Sequence, residues 1–346
     1  MSISRRGFIG GAAGAAMLAG CSARKPAAST GVSTAVTPRV TVPPAKVYVH
    51  DVPSIPVLAW HQVIGGHART PAQDQIWNYN KDCAPAAAVC DVADNDETVS
   101  LAQMARLFAW LRSQGYQSVT ATQYHAWVTG QKVALPARPV LLTVDDGTLN
   151  SYVSVTDLLA QHGFSMVTFI VTQFADGATT GKQPYAGWNA TWEQLLALPE
   201  KQWSFAFHAG AAGHDVAFPR NPGCTYYYPS QLPSESTLAY QRRVASEITT
   251  GRDRAAAMLG SRMNDTMWAV PWNDLAQPGQ PASGTDPGKW LAAWAATQFP
   301  VIFLQDPHRN GVLHERYRLE VQGTWDEATF QYYLDGNAGH GFFDGT

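Results

Sequence analysis

From residue 55 to about residue 335 the chain alternates short apolar runs with stretches of helical periodicity. Residues 55–60, Ile-Pro-Val-Leu-Ala-Trp, have the length and composition of a buried strand. Residues 98–114 place Leu101, Met104, Leu107, Phe108 and Leu111 at helical spacing, with Gly115 behind them as a stop. Residues 139–144, Pro-Val-Leu-Leu-Thr-Val, are apolar almost without a break and run into Asp145-Asp146-Gly147. That is the pattern of a parallel strand buried on both faces and opening into a loop. The same reading predicts helices over 150–162, 192–198, 235–259 and 289–298, and strands over 165–171, 204–207, 266–270 and 301–304. Such alternation predicts an α/β fold around a central parallel sheet or barrel. No internal repeat is visible. On the long helix, Arg242 and Arg243 read as a solvated face.

Residues 1–55 follow none of this. Arg5-Arg6 precede a weakly apolar run over residues 8–20. The run is too short for a membrane-spanning helix, which needs about 20 residues. Twin arginines in that setting mark a Tat-type export signal. Leu18-Ala19-Gly20-Cys21 resembles a bacterial lipobox, which implies cleavage before Cys21 and lipidation of its thiol. The resemblance implies a lipid anchor on the periplasmic side, and Ser22 favours the outer membrane. Residues 1–20 are then a leader, 21–55 a flexible linker rich in Ala, Ser, Thr, Val and Pro, and 56–346 one domain.

Composition narrows the function classes. Charged residues make up 15% of the chain and the formal net charge is −3, so the Lys/Arg excess that nucleic acid requires is missing. Losing the leader removes two arginines and leaves 22 basic against 27 acidic residues, a net −5. A neutral polymer remains open as a partner, and 12 Trp suit sugar stacking as well as core packing. Four cysteines in 346 residues exclude a disulfide-built scaffold. In an exported chain, Cys83 and Cys90 are the first pair expected to close a small loop, with Cys224 free or paired with one of them.

In a βα fold the chemistry collects at the C-terminal ends of the strands. His61 follows the first predicted strand, Asp145 and Asp146 the second, and His208 and His214 the strand at 204–207. Pro271-Trp272-Asn273-Asp274 follow the strand at 266–270. Adjacent carboxylates on a loop point in different directions, so one can ligate a metal while the other acts as a base. Two histidines and one carboxylate form a three-ligand set with open positions, the pattern of a catalytic metal.

Thr143-Val144-Asp145-Asp146-Gly147 resembles the Thr-Phe-Asp-Asp-Gly motif of the NodB-type polysaccharide deacetylases, carbohydrate esterase family four. Further landmarks occur in order: Trp60-His61-Gln62-Val63, Phe108 to Tyr116, Thr191-Trp192-Glu193-Gln194-Leu195, His208 to His214, and Asn221-Pro222-Gly223. Together they are most similar to the exported poly-β-1,6-N-acetylglucosamine deacetylases of biofilm systems, over roughly residues 55–335. That resemblance implies a single-domain, incomplete (β/α) barrel, circularly permuted. It implies Asp145 as base, Asp146, His208 and His214 as metal ligands, and His61 as the acid that protonates the leaving amine. It places Trp272, Asn273 and Asp274 on the substrate-binding wall. A divalent metal is implied, zinc first, with cobalt, nickel and iron accepting the same ligands. The partners implied are a polysaccharide substrate, the membrane through Cys21 and exopolysaccharide export machinery, with no nucleic acid.

Three departures stand out. Val144 replaces the motif's Phe. His208 and His214 are six apart, through Ala-Gly-Ala-Ala-Gly, where the family has four or five. Val270-Pro271-Trp272-Asn273-Asp274 stands where the family has a Pro-Tyr-Gly-type motif. The readings carried forward are N-deacetylation of an extracytoplasmic N-acetylglucosamine polymer, deacetylation of peptidoglycan or of an O-acetylated sugar, and a non-catalytic polysaccharide-binding lipoprotein with a degenerate metal site.

Overall fold

A computed structural model describes residues 55–64, 98–182, 186–210, 218–220, 224–226, 231, 235–271, 287–304, 315–321, 323 and 325–337. The leader and linker, with Cys21, Cys83 and Cys90, lie outside the described residues.

The elements in order are β1 (Val57–Trp60), β2 (Gln62–Ile64), β3 (Thr98–Ser100), α1 (Leu101–Ser113), β4 (Gln117–Ser118), α2 (Ala121–Val128), β5 (Pro139–Val144), α3 (Leu149–His162), β6 (Met166–Val171), α4 (Thr172–Thr179), α5 (Trp192–Ala197), β7 (Trp203–Ala209), β8 (Phe218–Arg220), β9 (Cys224–Tyr226), α6 (Thr237–Leu259), β10 (Met263–Ala269), α7 (Pro287–Gln298), β11 (Val301–Leu304), β12 (Glu315–Tyr317), β13 (Leu319–Glu320) and α8 (Glu327–Asn337). The main sheet runs β12-β11-β10-β7-β6-β5-β1-β13, with β4 added against β5. Every pairing in it is parallel.

The two ends of this order are neighbours in the chain. β12 pairs with β11 and β13 with β1, and only Arg318 separates them. The Arg318 N–H donates to the Leu304 carbonyl at 2.8 Å and the Val321 N–H to that of Ala59 at 2.9 Å. One short segment therefore joins the two edges of the curved sheet.

Alternation along the strands sorts the core. Val57, Leu141, Val167, Phe169, Ala206, Met267, Ala269, Val301 and Phe303 form the inner cluster, with Tyr124 and Trp127 of α2 packed into it. The intervening Leu58, Trp60, Val140, Leu142 and Val144 meet Met104, Phe108 and Leu111 of α1 and Val155 and Leu159 of α3. α6 and α7 cover the other end with Val244, Ile248 and Leu291 against Phe207, Trp268 and Ile302. Each such side chain, fully buried, contributes about 1.5–3 kcal/mol relative to exposure.

Local chemistry sets the helix ends. Ser100 caps α1 by accepting from the Gln103 N–H, so the helix predicted from residue 98 begins at Leu101 and its first residues form β3. Thr120 with Gln123 and Thr191 with Gln194 close capping boxes on α2 and α5. Gly163 ends α3 in the left-handed region at φ 65°. Arg243 departs from the solvated-face reading: it holds Glu235 bidentately at 2.8 and 2.9 Å in a partly buried pair. Trp192 is core, 2% exposed, with its N–H on Asp176. Among the described residues no helix is long and apolar enough to cross a membrane.

Candidate active site

His61, Asp145 and His208 each continue the inward face of a strand. Asp145 lies two residues after Thr143 and four after Leu141, an inner-cluster residue; its N–H donates to the Trp60 carbonyl at 2.9 Å, which sets it beside His61. Asp145 is fully buried, and so is Arg318, which grips it with both guanidinium nitrogens at 2.6 Å. The guanidinium also lies 5.2 Å from the centre of the Phe169 ring, so Arg318 fills the inside of the sheet beneath Asp145.

Asp146 is the one non-glycine with positive φ among the described residues, at 68°, followed by Gly147 at 71°. This conformation costs a non-glycine residue about 1–2 kcal/mol. Neighbouring bonds hold it in place. Asn189 donates its side-chain amide to the Asp146 carbonyl at 3.2 Å, and the Ala190 N–H donates to the Gly147 carbonyl at 3.0 Å. The result turns the Asp146 carboxylate away from that of Asp145, toward His208.

His208 sits in a β-bulge. β6 and β7 pair Ile170 with Phe207 and then Val171 with Ala209, leaving His208 as the extra residue. A bulge re-aims a side chain at the end of a strand. Behind it, a Cβ on Gly210 would stand 2.4 Å from the Glu247 carbonyl oxygen, and one on Gly251 2.3 Å from the Gly210 Cα. Two glycines thus let α6 approach the bulge to backbone contact.

The His208 Nδ1 lies 2.7 Å from the Ala269 carbonyl. A carbonyl only accepts, so Nδ1 carries the hydrogen, and Nε2 is the atom whose lone pair a neutral ring offers to a cation. Nε2 faces Asp146 Oδ1 at 3.6 Å and Asp145 Oδ2 at 3.9 Å. Acceptors converging in this way fit a cation, and a backbone carbonyl holding Nδ1–H is a common orienting partner for a metal-bound histidine. Among the described residues no group of three or more His, Cys, Asp and Glu is placed to hold a metal ion. His214, the third expected ligand, lies outside the described residues, as do Trp272, Asn273 and Asp274.

His61 occupies the other side of Asp145. Its Nε2 is 3.7 Å from Asp145 Oδ2 and its Nδ1 3.0 Å from Glu320 Oε1, the latter a close ion pair bent away from the N–H line. Burial alone would lower its pKa, but Glu320, Asp145 and Asp146 outweigh that and raise it to about 9. His61 is therefore protonated at neutral pH. Asp145 shows the opposite balance. Burial would raise its carboxyl, but Arg318, then His208 and His61, hold it below the ordinary range. The site thus pairs an ionised carboxylate with a protonated imidazole on one rim.

Arg318, Glu320 and Asn189 escaped sequence reading. The signal for the first two was the alternation in Arg316-Tyr317-Arg318-Leu319-Glu320-Val321, which has period two. Charged residues at that period ordinarily face solvent, whereas Arg318 and Glu320 point inward.

Residues 132–273 match the family model described as polysaccharide deacetylase. No curated protein matches the chain. Solved structures with a similar fold include a de-N-acetylase from Aggregatibacter actinomycetemcomitans, 17% identical with a TM-score of 0.58, covering 81% of this chain and 99% of that one. The BpsB deacetylase domain from Bordetella bronchiseptica is 21% identical with a TM-score of 0.54, covering 79% and 97%. IcaB from Ammonifex degensii is 18% identical with a TM-score of 0.50, covering 80% and 94%. The stretch that matches the family model runs from just before β5 to just past β10 and includes Asp145, Asp146 and His208.

Proposed function

We propose that the protein is a metal-dependent hydrolase that removes acetyl groups from the amide nitrogens of an extracytoplasmic N-acetylglucosamine polymer. The observation that carries this is the pairing of ionised Asp145 with protonated His61 beside the Asp146–His208 pair. The substrate class rests on the resemblance to the poly-β-1,6-N-acetylglucosamine deacetylases. A divalent cation held by Asp146, His208 and His214, zinc first among the candidates, would polarise the acetyl carbonyl and ease ionisation of a water. Asp145 takes the proton from that water as its oxygen attacks the carbonyl carbon. His61 gives a proton to the nitrogen as the carbon–nitrogen bond breaks. The products are acetate and a free glucosamine amine. Arg318 keeps Asp145 ionised and fixed, and Glu320 keeps His61 protonated. The Arg5-Arg6 pair and the Leu18–Cys21 tetrad support export and a lipid anchor on the periplasmic side, with the outer membrane favoured.

The direct experiment is acetate release from poly-N-acetylglucosamine oligomers and from peptidoglycan, before chelation, after it, and after metal is restored. Release from the oligomers that chelation abolishes and zinc restores is expected. Release from peptidoglycan alone would move the assignment to that polymer. No release from either, with glycan still bound, would leave the binding-lipoprotein reading standing.

The His61 shift carries its own prediction. A raised histidine pKa adds stability that is complete below its ordinary value of 6.5 and lost as pH rises through about 9. The alkaline limb of kcat/KM follows the same proton. Glu320→Gln removes the leading cause of the rise, so that limb moves to lower pH. A bound dication also lowers the His61 pKa, so the displacement between variant and wild type is the quantity to measure. An unmoved limb would detach His61 from the alkaline ionisation.

A further inference from the structure

His61 is the last inward residue before the chain leaves the main sheet. Behind it, β2 turns aside and pairs with β3 in a separate two-stranded sheet. A side chain at such a junction needs its backbone fixed on both sides, and one hydroxyl does this. Ser151, in the first turn of α3 and 1% exposed, accepts from the Val63 N–H at 3.1 Å and donates to the His61 carbonyl at 3.4 Å. A serine has a single hydrogen, and the carbonyl can only accept. The 2.7 Å contact between Thr148 and Ser151 hydroxyls is therefore donated by Thr148. Thr148 directly follows Asp145-Asp146-Gly147 and is bridged by its backbone to Asn189, the residue that holds Asp146.

We propose that Ser151 is the positioning residue for His61, tying the acid's backbone to the loop that carries the base and the metal-ligating aspartate. It touches no reacting atom and sets where the His61 proton is delivered. The proposal rests on the deacetylase reading above for what His61 does.

Two substrates separate positioning from general loss of structure. Hydrolysis of the N-acetyl amide needs a proton on the leaving nitrogen, whereas 4-nitrophenyl acetate releases a stable anion and needs none. Ser151→Ala is expected to lower kcat on the N-acetylated oligomer by about 10–100-fold, with KM little changed. Its rate on the ester should stay within about twofold. Ser151→Cys, close in shape and a weak hydrogen bonder, should show the same split. Equal losses on both substrates, or no loss on either, would overturn the proposal. Hydrogen exchange at the Val63 amide, read by NMR, supplies an arm independent of turnover. It should accelerate in both variants while the thermal transition stays cooperative, and unchanged protection would defeat the proposal even in a protein inactive on both substrates. A wild type inactive on both would count against the deacetylase reading.

Discussion

Asp145→Asn should abolish turnover and also weaken the fold. As a general base Asp145 is expected to contribute about 10²–10⁴-fold to kcat. The amide cannot accept the water's proton at neutral pH, so acetate release falls by that factor. The sequence alone suggests a clean substitution, because it shows only an acid on a loop. The structure adds a buried guanidinium that Asp145 neutralises through two 2.6 Å contacts. Asn leaves Arg318 buried with its charge uncompensated, and breaking one side of such a pair costs about 3–5 kcal/mol. The variant must therefore be assayed below its own melting temperature, with metal content measured, since Asp146 and His208 remain. Adding Arg318→Met removes the stranded charge. The double variant should recover melting temperature and recover no activity. A folded, metal-loaded Asp145→Asn protein with wild-type kcat would remove Asp145 from the chemistry.

Much of this site is legible in the sequence. The strand over 301–304 has the predicted bounds, and that over 139–144 likewise, because uninterrupted apolar runs leave little choice. Asp145, Asp146, His61 and His208 were found because each follows such a run, and the structure brings all four together. What stayed hidden depends on contacts between distant segments. α2 and α4 are eight residues each, too short for periodicity to declare. β12 and β13 are three and two residues and largely polar, so they read as loop. Only the pairings with β11 and β1 make them strands, and only closure around Asp145 turns Arg318 inward. The bulge at His208 was equally hidden, because it is a property of register between β6 and β7 and not of either sequence.

Arg318→Met should destabilise the protein in a pH-dependent way, which separates its charge from its bulk. Wild-type Asp145 has a depressed pKa. Its contribution to stability is present above the ordinary carboxyl value of 3.8 and is lost as pH falls through the lower folded value. Without Arg318 the burial of Asp145 is opposed only by His208 and His61, so the carboxyl rises and its ionisation now disfavours the fold. The penalty is expected to reach about 3–5 kcal/mol near neutral pH. It shrinks as pH falls below the variant's carboxyl pKa, where the carboxyl is protonated and nothing is left unpaired. Melting curves of the two proteins should therefore be well separated at pH 7 and converge in acid. Activity should follow the same proton: the acid limb of kcat/KM moves up in the variant while the alkaline limb stays with His61, so the active range narrows from one side. Were Arg318 only a filler over Phe169, the gap in melting temperature would be constant with pH and the acid limb would not move. Converging melts with a shifted acid limb would assign to one arginine, between two strands of three and two residues, both the closing of the sheet and the charge state of the base.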